Sequence, residues 1–435
     1  MPAPIYLDHN ATAPILPEVA DAVRDAALRY PGNPASQHEF GRQARRVLEQ
    51  ARQRIGELLG ARTTGMDADR VIFTSGGTES NNLAITGLLH PLTEKQIQQL
   101  AIEAGAMKLP LVPSPRRGGL GRGDGSAYQA SAPLPSPPLR GEGAREDGWC
   151  TACLIISAIE HPSIARAAAA FDPQILPVDS AGIIRLDQLE SLLTPTTQLA
   201  SIMLASNETG VIQPIAAAAE ICRRRGVLLH TDATQAVGKL PVDFQGLGVD
   251  ALTTAAHKFH GPLGVGVLLV RHGVALTPAF QGGFQQASLR PGTESVALAV
   301  GMQRALELWH AEADARRQRM TDLRDRLETA LLAGYPDAVV IGQQSSRLPH
   351  TSNVAFVGLN RQALVMALDL AGVACSSGSA CASGSSEPSP TLLAMALPEG
   401  VISSSVRFSL GATTAAAEID EAARRILNVC NNLRR

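Results

Sequence analysis

Short apolar runs alternate with helix-patterned segments along the first 300 residues, and this alternation limits the possible folds more than any other feature. Six runs are typical of buried strands: VIFTSGG (71–77), CLIISAIEH (153–161), LASIMLAS (199–206), VLLHTDA (227–233), ALTTAAHK (251–258) and GVGVLLVR (264–271). Segments 40–59 and 216–225 between them are typical of helices. Repeated strand and helix units predict a mostly parallel sheet covered on both faces. In such a sheet, active residues are expected at the carboxyl ends of the strands.

The pattern changes after about residue 302, where a long charged helix is predicted through residue 331. Two short strands, VVIG and TSNVAFVG, a helix over 361–371 and a final helix near 415–433 follow. A chain of 435 residues is expected to form about two domains. We predict a large domain at 15–312 and a smaller α+β domain that combines residues 1–14 with 313–435.

Residues 90–148 fit neither pattern, because they are rich in Pro, Gly, Ser and Arg and show no hydrophobic period. Such a composition cannot bury enough apolar surface to offset its ordering entropy. A mobile surface insertion is therefore predicted. Contact of its arginines with nucleic acid is the alternative, although interleaved aromatic residues that would stack on bases are missing.

The charge balance and the termini narrow the functional class. A formal net charge of -2 gives no electrostatic reason to expect nucleic acid or an anionic membrane as partner. The N-terminal segment does not resemble a secretory signal, and no apolar run approaches the ~20 residues that span a bilayer. A cytoplasmic protein is predicted. Six cysteines are too sparse for a disulfide framework, and WCTAC (149–153) resembles only half of a metal site, so no metal is predicted.

A single lysine, Lys258, stands among small and apolar residues in TTAAHKFHGPLGVG, at the end of a predicted strand. Burial of an ammonium group costs several kcal/mol unless the charge is paired, neutralised or consumed in a covalent bond. A Schiff base with an aldehyde cofactor such as pyridoxal phosphate is one solution. A surface lysine in a turn is the alternative.

Four other predicted strand ends carry polar residues. The glycines of VIFTSGGTESNN lead into a helix that starts near Thr78, whose free N–H groups would suit a phosphate, although the stretch also has the form of a capping box. Asp232 could keep a pyridine nitrogen protonated or could cap a helix. His161 and Asn207 follow two further strands, where each alone could be structural. A wound sheet would bring all these ends to one edge, so the set predicts a cofactor pocket.

A family resemblance extends over nearly the whole chain apart from the insertion. The motifs IYLDHNAT, GNPASQH, FTSGGTESNNLAI, EHPS, NETGVIQPI, HTDATQAVGK, AHKFHGPLGVG, RPGTES, SSGSAC and RFSLG resemble those of the NifS/IscS-like cysteine desulfurases, within the class-V aminotransferase family. The resemblance implies an α/β fold of the PLP-dependent transferase fold type I. Such a fold has a mostly parallel seven-stranded sheet in the large domain and a smaller α+β C-terminal domain.

The same resemblance implies pyridoxal 5′-phosphate as cofactor, L-cysteine as substrate, an iron–sulfur scaffold or similar sulfur acceptor as partner, and a homodimer. Lys258 would bind the cofactor aldehyde and later move the substrate Cα proton, while His161 would stack on the ring and assist acid–base steps. The phosphate would be held by Gly77, Thr78, His257 and, from a second subunit, Thr293, and the ring by Asn207, Asp232 and Gln235. Asn33 and Arg407 match the positions that bind the substrate carboxylate.

Cys381 decides the predicted reaction. It lies in GVACSSGSACASGSSEPSP, a Ser/Gly-rich stretch predicted to be a flexible loop, whereas Cys375 at its entry is expected to be structural. A free thiol of pKa ~8.5 is strongly nucleophilic and easily activated. The resemblance implies that Cys381 takes the substrate sulfur as a persulfide and that L-alanine is released. A small buried apolar cysteine is the alternative.

Three positions depart from the family pattern. Ala255 stands where a serine usually contacts the phosphate, Leu263 where a lysine is usual, and Ala412 where an arginine is common. Loss of one hydrogen bond typically costs ~1 kcal/mol, so lower cofactor affinity is expected from Ala255. A selenocysteine lyase, a class-V aminotransferase and a degenerate non-catalytic partner of the same fold stay open as alternatives.

Overall fold

The computed structural model describes residues 3–90, 153–378 and 387–434. Its strands are β1 (Ile5–Tyr6), β2 (Arg70–Thr74), β3 (Leu154–Ser157), β4 (Gln174–Leu176), β5 (Leu199–Ser201), β6 (Leu228–Asp232), β7 (Ala251–Ala255), β8 (Gly266–Val270), β9 (Ala338–Val340), β10 (Thr351–Phe356), β11 (Val373–Ala374) and β12 (Ser405–Ser409). Its helices are α1 (Pro17–Arg29), α2 (Glu39–Leu58), α3 (Gly77–Leu88), α4 (Pro162–Ala168), α5 (Leu186–Leu192), α6 (Ile215–Arg224), α7 (Phe244–Leu247), α8 (Val296–Gly334), α9 (Arg361–Leu370), α10 (Pro390–Ala394), α11 (Glu399–Ile402) and α12 (Ala416–Leu433). Short 3₁₀ helices cover Ala169–Phe171, Ala256–Phe259 and Gln285–Ser288.

The predicted mostly parallel seven-stranded sheet is confirmed. Its strand order is β2-β8-β7-β6-β5-β3-β4, and only β8 runs antiparallel to its neighbours among these seven strands. Strands β7 and β8 are buried at every position, as their continuous runs of small and apolar residues require. The sequence analysis did not identify β4, a three-residue strand at the edge.

A second, three-stranded antiparallel sheet has the order β12-β10-β9. Its apolar cluster includes side chains from α8, α9 and α12, among them Leu327, Leu364 and Ile426. The N-terminal strand β1 pairs in parallel with β11, and this ladder joins the two ends of the sequence. Helix α8 has a break in its helical backbone at Glu312 (φ -131°, ψ 18°). The domain limits 15–312 and 1–14 with 313–435 stay a prediction.

Several predicted features lie outside the described residues. These are nearly all of the insertion at 90–148, Cys150 of the WCTAC stretch, and Cys381. Within the described ranges, every helix is too short or too polar to cross a membrane. In the same ranges, no group of three or more His, Cys, Asp or Glu side chains could hold a metal ion.

Candidate active site

A cavity of about 280 Å³ lies where β2, β3, β5, β6 and β7 end. It is lined by Ala11, Gly77, Thr78, Asn81, His161, Ser163, Met203, Ala205, Asn207, Asp232, Thr234, Gln235, Ala255, His257 and Lys258. The strand-end residues singled out in the sequence therefore meet at one edge of the sheet. The structure brings them together, and their individual roles stay predictions.

Lys258 lies in the 3₁₀ helix that follows β7 and is half-buried on the cavity wall. Its Nζ donates hydrogen bonds to the carbonyl oxygens of Asn10 at 2.7 Å and Ala11 at 2.8 Å. Both acceptors belong to the N-terminal DHNAT segment, 247 and 248 residues away in sequence. These carbonyl dipoles replace part of the water that the amine loses, so a lysine is tolerated at this depth.

Asp232 is the last residue of β6 and is 8% exposed. Its Oδ1 accepts a hydrogen bond from the backbone N–H of Thr234 at 2.9 Å, and its Oδ2 accepts one from the Asn81 side chain at 2.7 Å. The local turn that Asp232 makes resembles the capping alternative, yet the carboxylate also lines the cavity. Two donors therefore fix the orientation of this carboxylate.

His161 precedes α4 and caps it, because Nδ1 accepts from the backbone N–H of Ser163 at 3.2 Å. Burial lowers the pKa of His161, the charge of Asp232 raises it, and the charge of Lys258 lowers it further. The imidazole is therefore neutral at neutral pH. Since Nδ1 acts as an acceptor, the ring proton is assigned to Nε2.

Helix α3 begins directly after the glycine turn at the end of β2. Its N-cap is Gly76, with φ 155° and no side-chain cap, so the complete capping box is not formed. Half of that motif remains, because Glu79 accepts from the backbone N–H of Ser75 at 2.7 Å, and Arg290 holds Glu79 at 2.7 Å. The first N–H groups of a helix have no partner inside it and carry a partial positive charge, which suits an anionic group near Gly77.

Three residues that line the cavity each have a buried side-chain oxygen with no hydrogen-bond partner in the described residues: Asn81 Oδ1, Thr234 Oγ1 and Gln235 Oε1. Gln235 Nε2 is engaged, since it donates to the carbonyl oxygen of Asn10 at 3.1 Å. His257 Nδ1 lies 3.2 Å from Thr12 Oγ1, and burial, followed by the charges of nearby lysines, lowers its pKa to about 4. Unpaired buried oxygens normally indicate a missing polar partner.

Arg407 in β12 is 1% exposed and contacts the cavity through Asn207. Its Nη1 donates to the carbonyl oxygen of Asn207 at 3.0 Å, and its Nη2 pairs with Asp8 Oδ1 at 2.7 Å. Arg407 Nε is buried and has no partner among the described atoms. Asn33 and Thr293 are exposed and do not line the cavity of this chain.

Sequence reasoning missed two polar side chains that tie the cavity together. Asn81 Nδ2 donates to Asp232 and also to Ser163 Oγ at 2.8 Å, so it joins α3 to the ends of β3 and β6. Both lie inside quoted motifs: Asn81 is one helical turn after Gly77, and Ser163 is two residues after His161. Their spacing from Gly77 and His161 was the sequence signal that could have identified them.

The three departures from the family pattern lie in different surroundings. Ala255 ends β7, is 1% exposed and lines the cavity. Leu263 is 69% exposed and lies away from the cavity lining. The backbone N–H of Ala412 donates to His260 Nε2 at 3.1 Å. Only Ala255 of these three can therefore contact a ligand in the cavity.

Comparison with known proteins gives a consistent result. The sequence matches the family described as aminotransferase class-V over residues 5–119 and 151–422. A cysteine desulfurase of Nostoc sp. (strain PCC 7120) is 36% identical over 437 aligned positions, covering 99% of this chain and 94% of the relative. The cysteine desulfurase NifS of Azotobacter vinelandii is 34% identical over 441 positions, covering 99% and 94%.

Solved structures show the same similarity in three dimensions. A NifS-like protein from Rickettsia africae matches with a TM-score of 0.77 and 27% identity, over 98% of this chain and 99% of that protein. A structure of SspA in complex with cysteine matches with a TM-score of 0.70 and 26% identity, over 94% and 100%.

Proposed function

The chain belongs to the aminotransferase class-V family, and from this premise we propose that it is a cysteine desulfurase, which converts L-cysteine into L-alanine and a protein-bound persulfide. One observation carries the proposal: a lysine amine, a fixed carboxylate, a neutral imidazole and a helix N-terminus surround a single cavity. Similarity over 99% of the chain to relatives of that name supports it.

The chemistry of the cavity suits pyridoxal 5′-phosphate. Lys258 would bind its aldehyde, Asp232 its ring nitrogen, and the start of α3 with His257 its phosphate. The unpaired Gln235 amide oxygen is an acceptor, which fits a hydroxyl donor of a bound ligand, and the unpaired Thr234 hydroxyl can donate or accept. Bound pyridoxal phosphate supplies an electron sink for negative charge that develops at the substrate Cα.

The chain's own residues would handle protons and orientation. The Lys258 amine is the base on the cavity wall that would take the proton from the substrate Cα. Asp232 would keep its orientation because two donors hold its carboxylate. His161, neutral and with its proton on Nε2, would pack against the ring and donate a proton when the product forms.

Arg407 would bind the substrate carboxylate through its planar guanidinium group. Its Nε has no partner in the described residues, but Nη2 is occupied by Asp8. Asn33 would assist at the same carboxylate, and Thr293 would reach the phosphate of a second subunit in a homodimer. Both are exposed here, which leaves them available for contacts between subunits.

Cys381 would receive the sulfur. Its thiolate attacks the substrate sulfur, the bond from Cβ to sulfur breaks, and Cβ gains a proton, so that cysteine plus thiol gives alanine plus persulfide. The persulfide would then pass to a thiol of an acceptor such as an iron–sulfur scaffold protein in the cytoplasm. Transfer of the outer sulfur restores the Cys381 thiol for the next cycle.

The test measures alanine formed from L-cysteine by the full-length protein loaded with pyridoxal 5′-phosphate. Without a thiol acceptor, alanine should stop at about one per chain, because each Cys381 can hold one persulfide sulfur. With dithiothreitol as acceptor, turnover should continue. Lys258→Ala and Cys381→Ala should each abolish alanine formation beyond background.

Cys375→Ala is the matched control. Burial raises the pKa of Cys375 to about 12, so this thiol is a poor nucleophile and its removal should preserve most activity. Equal alanine yields from native protein and Lys258→Ala would refute the proposal. Production of a keto acid that is insensitive to Cys381→Ala would indicate an aminotransferase. Activity confined to selenocysteine would indicate a selenocysteine lyase.

A further inference from the structure

Lys239 is a buried lysine to which the proposed mechanism assigns no task. It follows β6 by seven residues and is 4% exposed. Its Nζ has no hydrogen-bond partner in the described ranges. Lysines are rarely buried this deeply without a partner, because an ammonium group loses its hydration there. Such a residue next to a candidate site is a candidate for a functional role.

Lys239 lies beside Lys258. Both line a small second cavity, together with His9, His260 and Arg316. The preceding Gly238 makes this approach possible: its φ is +75°, and a Cβ there would lie 2.2 Å from the Cβ of Phe259, the residue after Lys258. Any side chain at position 238 would push the two lysine-bearing segments apart.

The groups around Lys239 are basic or neutral. His9 lies in the segment after β1, His350 directly precedes β10, and Arg316 belongs to α8. His257, Lys258 and His260 come from the 3₁₀ helix after β7 and the residue that follows it. Two acidic groups on neighbouring segments have other partners: Asp232 accepts from Asn81, and Asp8 pairs with Arg407. No carboxylate of the described residues pairs with Lys239.

We propose that Lys239 is a positioning residue for Lys258, and that the buried amine of Lys239 and the half-buried amine of Lys258 hold one proton between them near neutral pH. This rests on the proposed function of Lys258 as the amine that binds the cofactor. Two positive charges in one desolvated region repel each other, so protonation of either amine opposes protonation of the other. A proton on Lys239 thus favours the neutral form of Lys258, which is the nucleophilic form.

The electrostatics of Lys239 agree with this arrangement. Burial, and after it the charge of Lys258, lower the pKa of Lys239 to about 7. Coupling between two titrating groups is reciprocal, so Lys239 disfavours the charged form of Lys258 by the same interaction. When Lys258 is consumed in a covalent bond, Lys239 can take up the proton.

The chain is well suited to a direct test, because it has four lysines, of which Lys239 and Lys258 are the two in the described residues. Full-length protein labelled with ¹³C in lysine and purified without pyridoxal phosphate gives one ¹³Cε signal for each lysine. The signals are assigned by single substitutions and followed against pH. In native protein, one proton should be lost from the pair well below the ordinary lysine range near pH ~10.4.

Lys239→Met removes the amine and keeps the length and apolar stem of the side chain. The Lys258 midpoint should then rise by about one pH unit or more. Lys239→Arg keeps a charge that does not titrate, so the Lys258 midpoint should stay at or below its native value. The reaction of the apo-protein with added pyridoxal 5′-phosphate can be followed by visible absorbance. The midpoint of its pH dependence should lie at higher pH in Lys239→Met than in native protein.

A merely structural role predicts different results. Under the proposal, Lys239→Met should unfold at the same or a higher urea concentration than native protein, since it removes an unpaired buried amine. If Lys239 had a structural role, the variant should unfold at a lower urea concentration. If Lys239→Met does not fold, Lys239→Gln replaces it. The titration of the two lysines in native protein tests the proposal in either case. Titration of both native lysines near pH ~10, or equal Lys258 midpoints in all variants, would overturn the proposal. Absence of desulfurase activity would not overturn this proposal, because the titration does not require turnover.

Discussion

Asn81 donates one hydrogen of its side-chain amide to Oδ2 of Asp232 at 2.7 Å. Its other amide hydrogen is directed to Ser163 Oγ, which in turn lies 2.8 Å from His161 Nδ1. Because Ser163 Oγ accepts from Asn81, its own hydrogen is free to donate to His161. One amide on α3 therefore sets both the orientation of the carboxylate and the tautomer of the imidazole.

Asn81→Ala should weaken binding of pyridoxal 5′-phosphate. Hydrogen bonds to charged groups contribute about 1.5–3 kcal/mol, so the dissociation constant should rise roughly ten- to hundredfold if the whole effect falls on the cofactor. Titration of the apo-protein with cofactor, read by visible absorbance, measures this constant.

Asn82→Ala is the matched control for this change. Asn82 is the next residue on α3, but its side chain donates to the carbonyl oxygens of Thr78 at 2.8 Å and Ser163 at 3.4 Å and does not contact Asp232. The dissociation constant of Asn82→Ala should stay within about threefold of the native value, since both bonds are to neutral backbone oxygens and neither reaches the carboxylate. Equal losses of cofactor affinity in Asn81→Ala and Asn82→Ala would mean that Asn81 affects binding only by stabilising α3, and not through its bond to Asp232.

Ala255→Ser should strengthen cofactor binding. Position 255 ends β7 on the cavity wall, 3.6 Å from where a Cβ of Gly77 would lie, close to the start of α3. A hydroxyl there can donate to a phosphate, and one net hydrogen bond contributes ~1 kcal/mol, so affinity should rise about fivefold. The same absorbance titration checks it.

Ala251→Ser provides the comparison for Ala255→Ser. It places the same hydroxyl at the other end of the same strand, in a fully buried position away from the cavity. Stability to urea should fall because the hydroxyl is buried, and cofactor affinity should not improve. A gain of affinity in both variants would show that the cavity is not the cause.

The sheet and the strand-end residues were predictable because they depend on local pattern. Runs such as ALTTA (251–255) carry only small, uncharged or apolar side chains and are buried at every position, which is required only in strands covered on both faces. Parallel strands then bring Asp232 and Lys258 to one edge without further information. The edge strand β4 escaped prediction, since three residues of mixed burial give no periodic signal.

Contacts between distant segments were not predictable from these patterns. Asp8 and Arg407 are 399 residues apart and meet only because β1 and its following segment lie against β11 and β12. The buried state of Lys239 likewise depends on how Gly238 packs against Phe259. Sequence spacing specifies neither contact, because each depends on the completed tertiary fold.

Arg407→Lys should raise the KM for L-cysteine more than it lowers kcat. Lysine keeps the charge beside Asp8 but loses the planar guanidinium group and its Nε, which has no partner in the described residues and would donate to the substrate carboxylate. A rise in KM of about tenfold or more is expected, from the loss of one charge-assisted bond. Steady-state assays of alanine formation measure this KM. Arg326→Lys is the control: Arg326 pairs with Asp420 on the surface, so this change should leave KM unchanged. An unchanged KM in Arg407→Lys would remove Arg407 from the substrate site.

Acid should destabilise the folded protein well above pH 4, because its buried histidines are held neutral. Burial lowers the pKa of His9 to about 3 and those of His230, His257 and His260 to about 4; the pKa values of His161 and His350 are also lowered. Between pH ~6.5 and ~4 the unfolded chain binds protons on these histidines and the folded chain does not. Stability is therefore present above pH ~6.5 and is lost as the pH falls through this window.

Three buried or half-buried carboxyl groups act in the opposite direction. Burial raises the pKa values of Glu160, Glu208 and Asp250, so the folded chain binds protons there before the unfolded chain does. Six histidines against three carboxyl groups leave a net uptake of protons on unfolding. Each net proton lowers the free energy of unfolding by about 1.4 kcal/mol per pH unit.

Urea unfolding followed by circular dichroism should therefore give a lower midpoint at pH 5.5 than at pH 7.5. His9→Asn should flatten this dependence, because it removes an imidazole that is 4% exposed in the native protein. His272→Asn, which removes a side chain that is 51% exposed, should keep the native pH dependence. Equal midpoints at the two pH values in native protein would show that the buried histidines already bind protons in the folded state, and the neutral His161 assigned to the cavity would then have to be abandoned.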